Sequence, residues 1–225
     1  NARPLNVAVI GAGPAGIYAS DILSKSGMEV CIDLFERLPA PYGLVRYGVA
    51  PDHPGTKGVL RGFDLLYRDP RVTMLTNVTI GDGPDQVTPA ELAEHFDAVF
   101  YAVGASESRR LGIPGEDLPG STSATDLVAW YNGVPGVDAG PPLRRGTADD
   151  PATGRAVVVG TGNVALDVAR ILVSPPDLLA TTDIADRALQ LVLIDLRAQV
   201  AALRRPRAFL DDAAIHVDDV DRAVG

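Results

Sequence analysis

The sequence of 225 residues has few of the side chains that build metal and redox sites. It contains one cysteine, Cys31, and three histidines that lie far apart at positions 53, 95 and 216. A single thiol excludes an internal disulfide and a dithiol redox centre. So small a set of ligands does not favour a zinc or iron–sulfur site, and we expect no bound metal. Because Cys31 lies in an apolar run, we expect its thiol to be buried.

Long apolar stretches and a secretory signal are also absent. No apolar run approaches the length of about 20 residues that crosses a membrane. The formal net charge of −9 opposes binding to nucleic acid and to anionic lipid. We therefore expect a cytoplasmic protein whose partners include neither nucleic acid nor a membrane. The chain opens on Asn rather than Met, which leaves processing or trimming open.

The content of 46% hydrophobic residues is enough to bury the core of one large or two small domains. The apolar run at residues 5–10 is too continuous for a half-exposed strand, so it predicts a parallel strand buried on both faces. A helix is predicted over about residues 14–25, with Gly27 placed to end it. A second buried strand over residues 30–36 completes a βαβ unit.

Further elements follow this unit. Strands are predicted over residues 72–80 and 97–104. Between them, residues 88–91 have the sequence Thr-Pro-Ala-Glu, which combines an N-cap, a proline at the first helical position and a capping-box acid. A short helix should therefore start there. The Gly-, Pro- and Asp-rich residues 133–154 predict a surface connection.

The pattern of the first unit then recurs. Residues 156–159 predict a buried strand that ends at Gly160, and residues 163–173 predict a helix that a Ser-Pro-Pro sequence ends. Residues 191–194 predict the returning strand. The two copies of strand, glycine turn, helix and strand indicate a duplicated supersecondary unit.

The first glycine turn has the sequence GAGPAG at residues 11–16 and lies between a predicted strand and a predicted helix. With Glu36 at the end of the next strand, this context favours a dinucleotide-binding turn. Gly11 permits the tight turn, Gly13 removes a Cβ that would collide with a pyrophosphate, and Gly16 lets the helix approach the strand. The helix N-terminus offers free N–H groups to the pyrophosphate. We expect Glu36 to accept hydrogen bonds from the ribose hydroxyls and to repel a 2′-phosphate.

The second glycine turn has the sequence GTGNVA at residues 160–165, with alanine in a position where the motif admits it. It predicts a second nucleotide site. The choice of nucleotide stays open at this point. Asp195 would favour a free 2′-hydroxyl, whereas Arg197 or the pair Arg204 and Arg205 would take a 2′-phosphate. For both turns, a glycine needed only for packing is the alternative interpretation.

Two dinucleotide turns in one chain imply that electrons move between two nucleotides. The usual pairing is a nicotinamide with a flavin, which can release electrons singly. The chain contains no Cys-x-x-Cys pair to receive them. The acceptor is therefore expected outside the chain, as a metalloprotein carrier, oxygen or a quinone.

A resemblance to a known family rests on several long segments. Residues 38–54 have the sequence LPAPYGLVRYGVAPDHP, and the match continues through residues 101–104, 113–120 and 162–172. These segments resemble the adrenodoxin reductase family, the NADPH-dependent ferredoxin reductases related in fold to glutathione reductase. The likeness covers roughly residues 5–190 and its motifs are specific.

The resemblance implies an α/β fold of two Rossmann-like dinucleotide-binding domains, the second inserted in the first. It implies an FAD-binding domain over residues 1–110 and an NADP-binding domain over residues 111–225. It also implies an enzyme that transfers electrons from NADPH through FAD to a ferredoxin-type iron–sulfur protein. Family members continue further to complete the FAD domain. The C-terminal segment that completes the FAD domain is missing here. Its absence indicates that the chain is truncated, or that it consists of segments joined across others that are left out.

The resemblance also implies the site residues. As catalytic residues it implies His53 near the flavin and Asp167 near the nicotinamide, within reach of a shared water network. The alternatives are a structural hydrogen bond for His53 and ordinary surface charge for Arg109. The residues implied for FAD are Gly11, Gly13, Ala15, Gly16, Glu36, Leu44, Val78 and Gly104, and those for NADP are Arg109, Thr161, Gly162, Asn163, Val164, Arg204 and Arg205.

One departure from the family lies near the C-terminus. The family has an Arg-Arg-Gly-Pro sequence directly after a strand, whereas here Arg204 and Arg205 come later and Pro206 follows them directly. Two other functions compete with the ferredoxin reductase. One is a flavin reductase of the glutamate-synthase small-subunit type. The other is non-catalytic, a nucleotide-binding redox sensor or an inactive fragment.

Overall fold

The structure is a computed structural model that describes most of the chain. The described residues are 3–105, 108–138, 140 and 156–195, with the backbone alone for 191–195. Within these ranges, every helix is too short or too polar to cross a bilayer. The chain divides into two compact units, of which the first comprises residues 1–49 and 53–107 and the second residues 50–52 and 108–225.

The first unit is an α/β structure built on a parallel sheet of four strands in the order β3-β2-β1-β4. Short helices connect the strands. In chain order the elements are β1 (Leu5–Ile10), α1 (Pro14–Ser24), β2 (Val30–Glu36), α2 (Leu44–Tyr47), α3 (Pro54–Lys57), α4 (Leu60–Phe63), a 3-10 turn (Leu66–Arg68), β3 (Val72–Thr76), α5 (Pro89–His95) and β4 (Ala98–Tyr101).

From Val7 to Ile10, strand β1 is buried on both faces, as predicted, whereas Leu5 and Asn6 at its start are exposed. Val7 and Val9 pack into one core cluster together with Ile17 of helix α1. Ala8 and Ile10 point the other way, into a second cluster that includes a residue of α5. Each fully buried aliphatic side chain of this kind contributes about 1.5–3 kcal/mol. Strand β1 therefore holds the helices on both sides of the sheet.

The predicted ends of the helices are confirmed. Helix α1 ends at Ser24, and Gly27 has a φ of 81°, in the left-handed region that follows many helices. At the start of α5, the hydroxyl of Thr88 accepts a hydrogen bond from the N–H of Glu91 at 3.2 Å. The carboxylate of Glu91 accepts one from the N–H of Thr88 at 2.8 Å, which completes the capping box.

Strand β3 is shorter than the prediction of residues 72–80. It ends at Thr76 because Asn77 has a φ of 56°, a left-handed conformation that turns the chain out of the sheet. Beyond this turn, Ile80 pairs with Val87 only through an isolated bridge. The apolar pattern continues after Thr76 because Val78 and Ile80 still pack against the core.

Strand β4 and Cys31 are more exposed than predicted. Strand β4 covers residues 98–101 instead of 97–104, and its Phe100 is 45% exposed because the strand lies at the edge of the described sheet. Cys31 is exposed on β2, so its predicted burial is wrong. It pairs in register with Asn6, which is also exposed, at the amino end of the sheet.

The described part of the second unit consists of helices. These are α6 (Ala124–Tyr131), α7 (Asn163–Val173), α8 (Pro176–Leu179) and α9 (Asp186–Asp195). Helix α7 has the predicted bounds, and Ser174 follows it in an extended conformation before two prolines. The core of the unit joins α6, α7, α8 and α9 through Leu127, Val128, Trp130, Tyr131, Val168, Ile171, Leu179, Ile184 and Ala188.

Two predicted strands of the second unit are wrong. At residues 156–159, only Val159 takes part in a bridge, and its side chain is 55% exposed. An apolar run becomes a strand only beside a partner, and the described part of this unit provides no ladder for it. Residues 191–194 belong to helix α9 instead. That run follows the helix formers Ala188, Leu189 and Gln190, so the helix continues through it.

Gly16 is required by the packing of α1 on β1. A Cβ built at this position would lie 1.9 Å from the carbonyl oxygen of Gly11. No rotation of a side chain can relieve a clash with backbone. In contrast, a Cβ at Gly62, within α4, would have no described residue within 4 Å.

We therefore expect Gly16→Ala to destabilise the protein by about 3 kcal/mol or more, because the helix must move away from the turn. Gly62→Ala is the matched control and should be neutral or stabilising by about 0.5–1 kcal/mol. Chemical unfolding followed by circular dichroism measures both. Equal stability of the two variants would show that α1 does not depend on this contact.

Candidate functional site

The first glycine turn lies at the carboxyl end of β1, where the sheet changes direction. The chain passes from β1 to β2 and β3 on one side, and β4 then pairs with the other side of β1. In open parallel sheets, ligands bind in the crevice at this switch point. The topology therefore places a candidate nucleotide site at residues 11–16.

The backbone of Gly11 is fixed between the two strands that flank β1. Its φ of 105° favours glycine, and a Cβ would lie 2.5 Å from the carbonyl oxygen of Ala102, just after β4. On the other side, the N–H of Gly11 donates to the carbonyl oxygen of Phe35 in β2 at 2.8 Å. Contacts on both sides therefore fix the backbone of Gly11, the first residue of the turn.

Gly13 differs from its neighbours because the protein itself does not require glycine there. Its φ of −78° and ψ of −179° suit any residue, and a Cβ would have only the Cα of Gly43 nearby, at 3.8 Å. The missing side chain leaves space before the first turn of α1. There the N–H groups of Ala15 and Gly16 have no acceptor within the helix, so they are available to an anion.

Glu36 is the last residue of β2 and hydrogen-bonds to the glycine turn. Its side chain is buried, with 7% of the residue exposed. One carboxylate oxygen accepts the N–H of Ala12 at 3.1 Å, and the other accepts the N–H of Leu38 at 3.0 Å. Each oxygen keeps a further lone pair for a ligand hydroxyl. Its main-chain carbonyl oxygen accepts the N–H of Val78 at 3.0 Å, which puts Val78 beside it.

Tyr42 contacts the same turn and was missed by the sequence analysis. Its N–H donates to the carbonyl oxygen of Ala12 at 2.8 Å, and its hydroxyl donates to the carboxylate of Asp64. Burial, together with that hydrogen bond, raises the pKa of Tyr42 to about 12. The only indication in the sequence was its place in the family-like segment at residues 38–54.

The other predicted residues of the first unit are exposed. Ala15 lies in the first turn of α1, Leu44 is the first residue of α2 and is 68% exposed, and His53 precedes α3. Gly104 follows β4 with a φ of 71°. Gly11 and Gly16 belong to the glycine turn, Glu36 hydrogen-bonds to it through the N–H of Ala12, and Val78 hydrogen-bonds to Glu36.

The second glycine turn has a backbone similar to that of the first, with fewer close contacts among the described residues. Gly160 has a φ of 134°, and Gly162 is the N-cap of α7, where no described residue lies within 4 Å of a built Cβ. A Cβ at Gly160 would lie 3.5 Å from the Cβ of Ala165, an ordinary contact. The turn therefore tolerates alanine where the first turn needs Gly16. The predicted residues Thr161, Gly162, Asn163, Val164 and Arg109 are exposed.

Asp167 belongs to an ion-pair network in the second unit. Arg170 donates from Nε and Nη2 to the two carboxylate oxygens of Asp52 at 2.5 and 2.8 Å, and from Nη2 to Asp167 at 2.9 Å. All three side chains are about four-fifths buried, with 19–22% of their surface exposed. Arg170 thereby fixes the position of both carboxylates.

Tyr131 packs near this network. The residue is 2% exposed, and its hydroxyl has no hydrogen-bond partner among the described residues. Burial raises the pKa of its hydroxyl, and the charges of Asp167 and Asp52 raise it further. The sequence did not single out Tyr131, Arg170 or Asp52, because their roles depend on contacts distant in the chain.

Some predictions remain untested. Arg204 and Arg205 lie outside the described residues. His53 belongs to the first unit and Asp167 to the second, so their predicted neighbourhood stays a prediction. In the described portion of the chain, no group of three or more His, Cys, Asp or Glu side chains is arranged to hold a metal ion.

Comparison with known proteins agrees with the resemblance noted in the sequence. NADPH-ferredoxin reductase FprA of Mycobacterium tuberculosis is 48% identical over 193 residues, which are 84% of this chain and 40% of FprA. The mitochondrial NADPH:adrenodoxin oxidoreductase of Salvelinus fontinalis is 46% identical over 183 residues, 81% of this chain and 35% of that protein. The resemblance to NADPH-dependent ferredoxin reductases is thus confirmed.

A solved structure of M. tuberculosis FprA in complex with NADPH matches with a TM-score of 0.78 and 47% identity. The match covers 85% of this chain and 41% of FprA, so the chain spans about two fifths of the length of these relatives. The family described as pyridine nucleotide-disulphide oxidoreductase matches residues 5–208. With its parallel sheet and its glycine turn at the switch point, the chain belongs to the pyridine nucleotide-disulphide oxidoreductase family.

Proposed function

We propose that this chain carries the two nucleotide sites of a flavoprotein that transfers electrons from NADPH to a ferredoxin-type iron–sulfur protein. The observation that carries the proposal is the open space at Gly13, at the carboxyl end of β1 and before the free N–H groups of α1. The relatives support it by their names, NADPH-ferredoxin reductase and NADPH:adrenodoxin oxidoreductase. Because the chain spans about two fifths of them, the activity belongs to the complete protein.

In this proposal the first unit, within residues 1–110, binds FAD. The N–H groups of Ala15 and Gly16 hold the pyrophosphate, and the remaining lone pairs of Glu36 accept the ribose hydroxyls. A buried carboxylate at this position also opposes a 2′-phosphate, which favours FAD over NADPH in the first site. Leu44, Val78 and Gly104 complete the contacts to the cofactor.

The second unit, within residues 111–225, binds NADPH in a second Rossmann-like domain inserted in the first. The first N–H groups of α7, an 11-residue helix with Gly162 as its N-cap, face the pyrophosphate together with Thr161, Asn163 and Val164. Arg109, Arg204 and Arg205 bind the 2′-phosphate, for which guanidinium groups are well suited.

Bound FAD would supply the acceptor for a hydride from the nicotinamide and the capacity to release electrons one at a time. The contribution of the chain is to position the two nucleotides and to keep water from the reacting atoms. In this proposal Asp167, which Arg170 holds in place, would lie near the nicotinamide, and His53 would lie near the flavin.

Gly13→Ala is expected to fold normally but to bind FAD at least tenfold more weakly, because its Cβ occupies space that the pyrophosphate needs. Gly13→Val should abolish FAD retention. Visible flavin absorbance per protein, measured together with thermal unfolding, tests both variants, and the wild type should be yellow. Gly162→Val is the matched control, which should keep FAD and lose affinity for NADPH. Normal flavin content in Gly13→Val would contradict the placement of FAD.

NADPH is expected to bleach the flavin absorbance of the purified protein in a stopped-flow experiment, and to do so faster than NADH at equal concentration. The physical reason is that, in this proposal, Arg109, Arg204 and Arg205 bind the 2′-phosphate, which NADH lacks. Nucleotide binding without bleaching would identify a non-catalytic protein. Equal rates with both nucleotides would overturn the choice of NADPH.

Cytochrome c reduction by the complete protein with NADPH is expected to depend on added ferredoxin. Electrons leave the flavin singly, and ferredoxin accepts one at a time. The control omits ferredoxin and measures direct reduction of cytochrome c. If added ferredoxin causes no increase in rate, the flavin serves another acceptor, such as a partner subunit of the glutamate-synthase type.

A further inference from the structure

Tyr42 has a backbone conformation that is rare for a residue with a side chain. Its φ of 89° lies in the left-handed region, and Gly43 follows with a φ of 47°. An aromatic residue in this region costs free energy, which persists only where the surroundings hold the residue in place. Such residues concentrate at functional sites, so the contacts of Tyr42 indicate what holds its backbone conformation and what that conformation supports.

The side chain of Tyr42 is held on several sides. Its hydroxyl donates to the carboxylate of Asp64. Its ring stacks on Phe63, with centroids 6.2 Å apart and planes at 27°, and the guanidinium carbon of Arg46 lies 5.1 Å from the ring centroid. With 8% of the residue exposed, Tyr42 belongs to the core cluster that contains Val7 and Val9 of β1.

The backbone of Tyr42 in turn holds the glycine turn. Its N–H donates to the carbonyl oxygen of Ala12 at 2.8 Å, while the N–H of Ala12 is held by Glu36 at 3.1 Å. A Cβ at Gly43 would lie 2.9 Å from the Cα of Gly13, so these two backbones are in close contact. The left-handed turn at Tyr42 and Gly43 thus supports the peptide that precedes the proposed pyrophosphate site.

We propose that Tyr42 is a positioning residue for the dinucleotide: its hydrogen bond to Asp64 holds the unfavourable backbone turn, which fixes Ala12 and Gly13 for the pyrophosphate of FAD. This inference rests on the proposed function of the first glycine turn. Without the hydrogen bond, the backbone of Tyr42 can relax before FAD binds. Binding must then restore the turn, and the apparent affinity falls by the fraction of molecules that keep it.

Tyr67 provides a matched control within the same cluster. Its ring centroid lies 6.2 Å from that of Tyr42. Its buried hydroxyl has no hydrogen-bond partner among the described residues. Tyr67→Phe and Tyr42→Phe therefore remove the same atom from neighbouring rings and leave the packing of both rings intact. Only Tyr42→Phe breaks a hydrogen bond.

The experiment measures FAD affinity of the complete protein after removal of its flavin, by quenching of FAD fluorescence, together with thermal unfolding of the apoprotein. Tyr42→Phe is expected to bind FAD about tenfold more weakly at a temperature where it is fully folded. Tyr67→Phe should bind like the wild type. Asp64→Asn, which keeps an acceptor oxygen for the hydroxyl, should bind more tightly than Asp64→Ala.

A double-mutant cycle tests whether Tyr42 and Asp64 act through the same hydrogen bond. Tyr42→Phe combined with Asp64→Ala should lose no more affinity than the weaker-binding single variant. Wild-type affinity in Tyr42→Phe, an equal loss in Tyr67→Phe, or additive losses in the cycle would each overturn the inference. A lower unfolding temperature with unchanged affinity would overturn it as well. A wild-type protein that takes up no FAD would instead contradict the proposed function.

Discussion

The close approach of helix α1 to strand β1 is the constraint on which the first unit depends. A side chain at Gly16 would place its Cβ 1.9 Å from the carbonyl oxygen of Gly11, so helix and turn can meet only without one. The same approach directs the first N–H groups of α1 to the carboxyl end of the sheet. The packing of helix on strand therefore points these N–H groups toward the candidate nucleotide site.

The elements that the sequence predicted correctly have local determinants. Strands β1 and β2 and helix α7 have the predicted bounds, because each is an apolar pattern limited by glycine, proline or charged residues. The errors at residues 156–159 and 191–194 have a different cause. A short apolar run becomes a strand only beside another strand, and in the described part of the second unit helices pack against helices. The apolar run itself does not specify whether a strand or a helix will lie beside it.

The residues of the site also divide into those with local determinants and those that depend on contacts distant in the sequence. The glycines of both turns were predicted from the fixed spacing of the motif, in which glycine permits a left-handed backbone or the close approach of a helix, a strand or a ligand. Tyr42 and Asp64 are 22 positions apart in the sequence, and Arg170 and Asp52 are 118 apart. Such pairs have no fixed spacing, so only the fold reveals them. They share one role, since each holds a segment next to a residue predicted to act on a nucleotide.

Glu36 and Gly13 differ in what they reveal about function. Both carboxylate oxygens of Glu36 already accept backbone N–H groups, so the fold needs this side chain whether or not a nucleotide binds. Removing it would leave two N–H groups without an acceptor, at a cost of about 1–3 kcal/mol each if they stay buried. Gly13 has the opposite character, because no described residue would clash with a Cβ at this position. A bound ligand explains glycine at that position, because the ligand needs the space that a side chain would fill. The assignment of FAD therefore depends on Gly13 more than on any charged residue.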